Sequence, residues 1–197
     1  REHGAAAAIA MFKRAMRPGP DHRIRWLLTA LLFMPVACFL EFGVLRLISS
    51  TVPLPHIALV EALFFFLAFF IGAIGEELGW QGFAYPALRT RLGVLASAIV
   101  LGTVWALWHV VPFMQLGRSP GWIMWHSLSA VVLRVIIVWL FENTAGSVFI
   151  AILFHAMINL SGALFPLAGS YYNPSVRFVI LAFAVGRGIH GVLALVP

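Results

Sequence analysis

Charge is what this chain has least of. Only 10% of its 197 residues are Asp, Glu, Lys or Arg, and seven of those are acidic. A soluble domain carries about a quarter charged residues and is about half apolar. Here 62% are hydrophobic, more than one core of this length can hide, so the outer surface must be apolar too and its solvent must be lipid. Cysteine is almost absent. The single Cys38 excludes an internal disulfide and reads as a small buried or lipid-facing residue. No internal repeat is visible, which leaves an inverted-repeat transporter without support. The apolar segments recur to the last residue, so a cleaved secretory signal does not explain them. The net charge of +6 would suit nucleic acid, but its distribution does not. Arg1, Lys13, Arg14, Arg17, Arg23 and Arg25 all precede the first long apolar run. That clustering reads as a cytoplasmic flank held at an anionic leaflet, with no nucleic-acid partner.

A spanning helix needs about 20 mostly apolar residues. Six stretches qualify: Trp26–Ile48; His56 to Ile74, with a helical continuation to Leu88; Gly93–Val111, closed by Pro112; Gly121–Phe141; Ala145–Phe165, closed by Pro166; and Ser175–Val196. Turn chemistry marks the joints at Val52-Pro53-Leu54-Pro55, Ser119-Pro120-Gly121 and Asn173-Pro174. The fold class expected is therefore all-α: a polytopic membrane helix bundle of about six transmembrane helices. An Ala-rich stretch, Ala5–Arg17, adds a short N-terminal interfacial helix. Residues 1–25 form the basic segment and 26–197 a single transmembrane domain, with a core at about 57–162. The chain begins with Arg1, which is compatible with an upstream helix. Basic residues near helix ends place the N-terminal segment, the Arg89–Arg91 turn and the Glu142–Thr144 turn in the cytoplasm.

Ionisable groups inside spans are costly and are functional candidates by default. They are Glu41, Glu61, Glu76, Glu77, His109, His126, Arg134, His155, Arg187 and His190, with Asn159 as a buried amide. Depth sorts them. Glu76 lies 13 residues before Arg89 and His155 lies 13 after Glu142, each about 20 Å from a cytoplasmic turn on the helical rise. Glu77 and Trp105 are equidistant from Arg91, and His109 is one turn beyond Trp105. Asn159 follows His155 at i+4, on the same face. Three segments thus bring Glu, His and His-plus-Asn to one level. A carboxylate can take a proton from water, an imidazole can share it, and a second imidazole with an amide can donate to an oxyanion. Glu76, His109 and His155 could instead hold zinc, since two His and a carboxylate form a hydrolytic metal set. Both arrangements hydrolyse an acyl bond. Glu41, Glu61, Arg187 and His190 fall outside this level, and His22 and His56 read as interfacial or packing residues. His126 reads as packing or support. Trp80, Trp105 and Trp108 are expected as cavity walls, and Phe64-Phe65-Phe66 with Phe69-Phe70 as lipid-facing or core bulk.

Gly75-Glu76-Glu77-Leu78-Gly79-Trp80-Gln81-Gly82-Phe83 resembles the first motif, EExxxR, of the CPBP family, also called the ABI family. This family comprises CAAX prenyl endopeptidases and bacterial bacteriocin-processing or self-immunity relatives. Trp105-Ala106-Leu107-Trp108-His109 resembles its second motif, FxxxH, and His155-Ala156-Met157-Ile158-Asn159 matches its third, HxxxN. The resemblance covers roughly residues 13–162. It implies an intramembrane endopeptidase acting on a membrane-embedded or lipidated peptide, in a bacterial plasma membrane. Glu76, with Glu77 beside it, would activate water, His109 would assist, and His155 with Asn159 would form the oxyanion hole. The family's chemistry is described both as metal-dependent and as a glutamate mechanism without metal. Two residues depart from the motifs: Gln81 stands in place of Arg, and Trp105 in place of Phe. The lost charge could come from Arg134, although pairing of Arg134 with Glu142, or snorkelling, is the leading expectation. Gln81 also keeps open a catalytically silent membrane scaffold or bacteriocin-immunity protein. A proton-coupled transporter is the weakest reading.

Overall fold

The computed structural model describes residues 12–13 and 24–193, with side chains to residue 187. The interfacial helix expected over Ala5–Arg17, and His22 and the His190 side chain, fall outside those residues except for Phe12 and Lys13. The described chain is all-helical: α1 (Ile24–Ile48), α2 (Leu59–Gly79), a π-helical turn (Trp80–Ala84), α3 (Tyr85–Leu92), α4 (Val94–Gln115), α5 (Pro120–Asn143), α6 (Val148–Leu164) and α7 (Pro174–Leu193). Because α2, the π turn and α3 form one rod, these are six rods, as the six apolar stretches required. Four of them (Ile24–Ile48, Leu59–Leu92, Val94–Gln115 and Pro120–Asn143) are long and apolar enough to cross a membrane. The protein is a polytopic membrane bundle, and its outer surface agrees: Leu47, Leu63, Phe64, Leu67 and Ile71 all point outward.

Local chemistry explains the helix ends. Ser119 caps α5 by accepting the Trp122 N–H, and Pro120 occupies the first turn, where a missing N–H costs nothing. Ser147 caps α6 in the same way through Ile150, so α6 starts three residues later than the apolar run suggests. Pro112 does not close α4. The helix runs on to Gln115, with the Leu116 N–H reaching the Pro112 carbonyl at 3.0 Å. Proline removes only its own donor and the bond to the residue four back, which a helix can tolerate one turn from its end.

Helix α6 sits at the centre. Of its 17 residues, 12 are buried, and it packs against α1, α2 and α5. A helix apolar all round belongs in the interior of a bundle. α5 packs against α4 on one side and α7 on the other. Among the described glycines, the one most tightly faced by a neighbouring helix is Gly102 on α4. A Cβ there would stand 3.0 Å from both the Arg134 Cβ and the Val131 Cα of α5, so glycine lets the two backbones come nearer than a side chain would without α5 giving way. This approach places Arg134 over the acidic pair on α2.

Candidate active site

Glu76 and Glu77 are consecutive on α2 and so point about 100° apart around the helix, and their surroundings differ accordingly. Glu77 faces the interior and is fully buried. Arg134 Nη1 donates to both of its oxygens, at 3.0 and 2.7 Å, and His155 Nδ1 lies 2.7 Å from Oε1. Glu76 is half-buried. Its Oε2 accepts the indole N–H of Trp105 at 3.0 Å, its one hydrogen bond among the described residues.

Trp105 is the hub. Its ring meets His155 edge-on at 5.2 Å and His109 edge-on at 5.4 Å. The Arg134 guanidinium lies 4.5 Å from its ring centre, within cation–π range. His109 Nδ1 lies 2.7 Å from the Trp105 carbonyl oxygen. A carbonyl cannot donate, so Nδ1 carries a hydrogen and Nε2 is the ring nitrogen left for another partner. The structure therefore brings Glu76, Glu77 and His155 together with Trp105 and Arg134, and hangs His109 on the same tryptophan. Asn159 is half-buried one turn beyond His155 on α6 and has no part in the hydrogen bonds that join the others.

Arg134 is a correction. It neither pairs with Glu142 nor snorkels. It is fully buried on Glu77, while Glu142 takes Arg89 at 2.9 Å and the Tyr85 hydroxyl at 2.8 Å. The physical reason is rotation: α5 turns Arg134 inward, and Glu142, two turns later, faces α3. Trp108 is a second correction, being 71% exposed toward lipid rather than lining a cavity. Trp105 is missed as a donor, although a buried indole N–H usually finds an acceptor and that rule could have flagged it.

The zinc alternative needs Glu76, His109 and His155 to converge on one point. Among the described residues, no three His, Cys, Asp or Glu side chains lie close enough to hold a metal ion. Both histidines turn Nδ1 to an oxygen, that of Glu77 and that of the Trp105 carbonyl, and so leave Nε2 as the atom a metal would take. As placed, the donors the zinc alternative needs do not converge.

Not all intramembrane charge belongs here. Glu41 on α1 is fully buried, and it accepts from Arg177 Nε at 2.7 Å and from the Asn173 backbone N–H at 2.9 Å. Arg177 Nη2 also reaches Cys38 Sγ at 3.3 Å, and its guanidinium covers the Tyr172 ring at 4.1 Å. Tyr172, in the loop after α6, bonds His126 Nδ1 at 2.9 Å, and desolvation pushes its phenol above the ordinary value. His126 itself stacks on Trp122 and meets Phe113 edge-on. Glu61 and His56 are exposed, and Arg187 lies over the Phe183 ring.

Comparison with known proteins follows the same residues. A family model described as "Type II CAAX prenyl endopeptidase Rce1-like" matches residues 58–161, which contain all three motifs. A curated protein of Methanococcus maripaludis, "CAAX prenyl protease 2", is 32% identical over 100 residues. That match covers 46% of this chain and 36% of the relative, so the chain spans about a third of that protein's length. With more than half of its residues inside the family model, this chain belongs to the Rce1-like family of type II CAAX prenyl endopeptidases.

Proposed function

We propose that this chain hydrolyses a peptide bond of a membrane-associated or lipidated substrate within the bilayer, using water activated by Glu76. The observation that carries the reading is the division of labour between the two glutamates. Glu77 is consumed by Arg134 and His155, whereas Glu76 has one oxygen held by Trp105 and the other without a partner among the described residues. A held but accessible carboxylate suits a general base. Glu76 takes a proton from water as the oxygen attacks the scissile carbonyl. His109 shares that proton through Nε2 and returns it to the leaving amine. The Asn159 amide and His155 donate to the oxyanion. With Nδ1 turned to Glu77, His155 can donate to the oxyanion only from Nε2.

The family membership and the printed name of the relative support a lipidated substrate. The basic N-terminal segment and the Arg89–Arg91 turn support a site opening to the cytoplasm, in a plasma membrane. On this reading 26–197 acts as one transmembrane domain with its catalytic core at about 57–162. The test is Glu76→Gln in the purified, detergent-solubilised chain, with a fluorogenic farnesylated CAAX peptide as probe. Cleavage should fall on the order of 1,000-fold with the melting temperature unchanged. Retained cleavage in the folded variant would overturn the mechanism and favour a silent scaffold.

A further inference from the structure

Both departures from the family motifs lie against the acidic pair. Gln81 follows Glu77 by four residues, is fully buried, and leaves its amide oxygen and nitrogen without partners among the described residues. A cation at that position would meet Glu77 at helical i, i+4 spacing. The cation that does meet Glu77 comes instead from a different helix, 57 residues further along the chain. Arg134 places one nitrogen between both Glu77 oxygens. It gets there because Gly102 lets α4 and α5 touch. Its guanidinium rests on the Trp105 ring, whose N–H holds Glu76. A phenylalanine would offer the same face but no donor. A buried carboxylate left without a counter-charge is strongly unfavourable. The unpartnered Gln81 amide beside this pair marks a position where the motif's charge is missing and nothing else has taken up its contacts.

We propose that Arg134, seated on Trp105, is a positioning residue that fixes Glu77, and through it the His155 ring, in place of the cation that position 81 lacks. It acts through Glu77 and touches no reacting atom. The role rests on the hydrolytic reading for its consequence, but its geometry is independent of that reading.

The experiment relocates the charge in the full chain, purified in detergent, with a fluorogenic farnesylated CAAX peptide as probe. Arg134→Gln should lower kcat about 100-fold, the scale of a misplaced catalytic group, with KM moved by no more than about threefold. Adding Gln81→Arg to Arg134→Gln should return kcat to within about tenfold of the starting protein, and should recover the melting temperature that the single variant loses. A mere packing role predicts no rescue from position 81. Two results would overturn the proposal: Arg134→Gln cleaving within about threefold of the starting protein, or a folded double variant no more active than the single one. If Arg134→Gln does not fold, Arg134→Lys takes its place, since one nitrogen makes both contacts. A folded lysine variant that keeps cleavage supports the proposal, and one that has lost it refutes the charge role. If the starting protein cleaves no probe, the hydrolase reading fails on its own. The relocation is then decided by melting temperature, with recovery in the double variant supporting it and no recovery overturning it.

Discussion

The bundle buries two glutamate–arginine pairs, and they are finished differently. Around Glu41 every contact is closed. One oxygen takes Arg177, the other takes the Asn173 N–H, and Arg177 spends its remaining face on Cys38 and Tyr172. Around Glu77 the pair is equally tight, yet polar atoms next to it have no partner among the described residues: Gln81 Oε1 and Nε2, and Arg134 Nε and Nη2. Half-buried Glu76, His109 and Asn159 stand alongside. A closed pair ties elements together, here α1 to the start of α7. An open one leaves hydrogen-bonding capacity for a guest, which is what separates a site from a clamp when both consist of the same residue types.

This contrast can be broken by mutation. Glu41→Gln should give the largest effect on stability, about 3 kcal/mol or more, because Arg177 is then left buried without a counter-charge. Thermal or denaturant unfolding in detergent would measure it, and cleavage per folded molecule should stay near that of the starting protein. Loss of cleavage without loss of stability would make the outer cluster part of the site. Asn159→Ala should do the reverse, lowering kcat about 100-fold as for a lost oxyanion donor, with little change in unfolding. Gly102→Ala should cost about 1–3 kcal/mol by forcing α4 off α5. Because it moves Arg134, it should also lower cleavage, and an alanine variant of full activity would show that α5 can shift without disturbing Glu77. Excess EDTA should change the rate least, leaving it as it was, since no three donors converge among the described residues. Inhibition reversed by added zinc would show otherwise.

Much of this was legible from residue order. Composition requires a lipid-solvated bundle, and counting residues from the Arg89–Arg91 and Glu142–Thr144 turns brings Glu76, Glu77 and His155 to one level, where contacts now join them directly or through Trp105. Depth follows from counting because every helix rises by the same amount per residue. Rotation about each axis does not, because a helix apolar all round gives no face to read. Hence the sequence offers the partner of Arg134, 57 residues away, only as the lesser alternative, and that of Arg177, 136 residues away, not at all. Glu41 reads as lying apart from the acidic pair, and its ion pair with Arg177 is not foreseen. Pro112 misled for a simpler reason: a proline one turn from a helix end need not be a boundary.

The π turn at Trp80–Ala84 carries one residue more than an α-helical turn needs. Deleting Gly82 would convert it to regular helix without removing any catalytic side chain. A π turn takes up its extra residue locally, so everything beyond it would keep nearly the same phase and height, and Tyr85 and Arg89 would still face Glu142. The turn is in effect slack in the rod between the acidic pair and the arginines. It lets one residue come or go between them without changing how the two are phased.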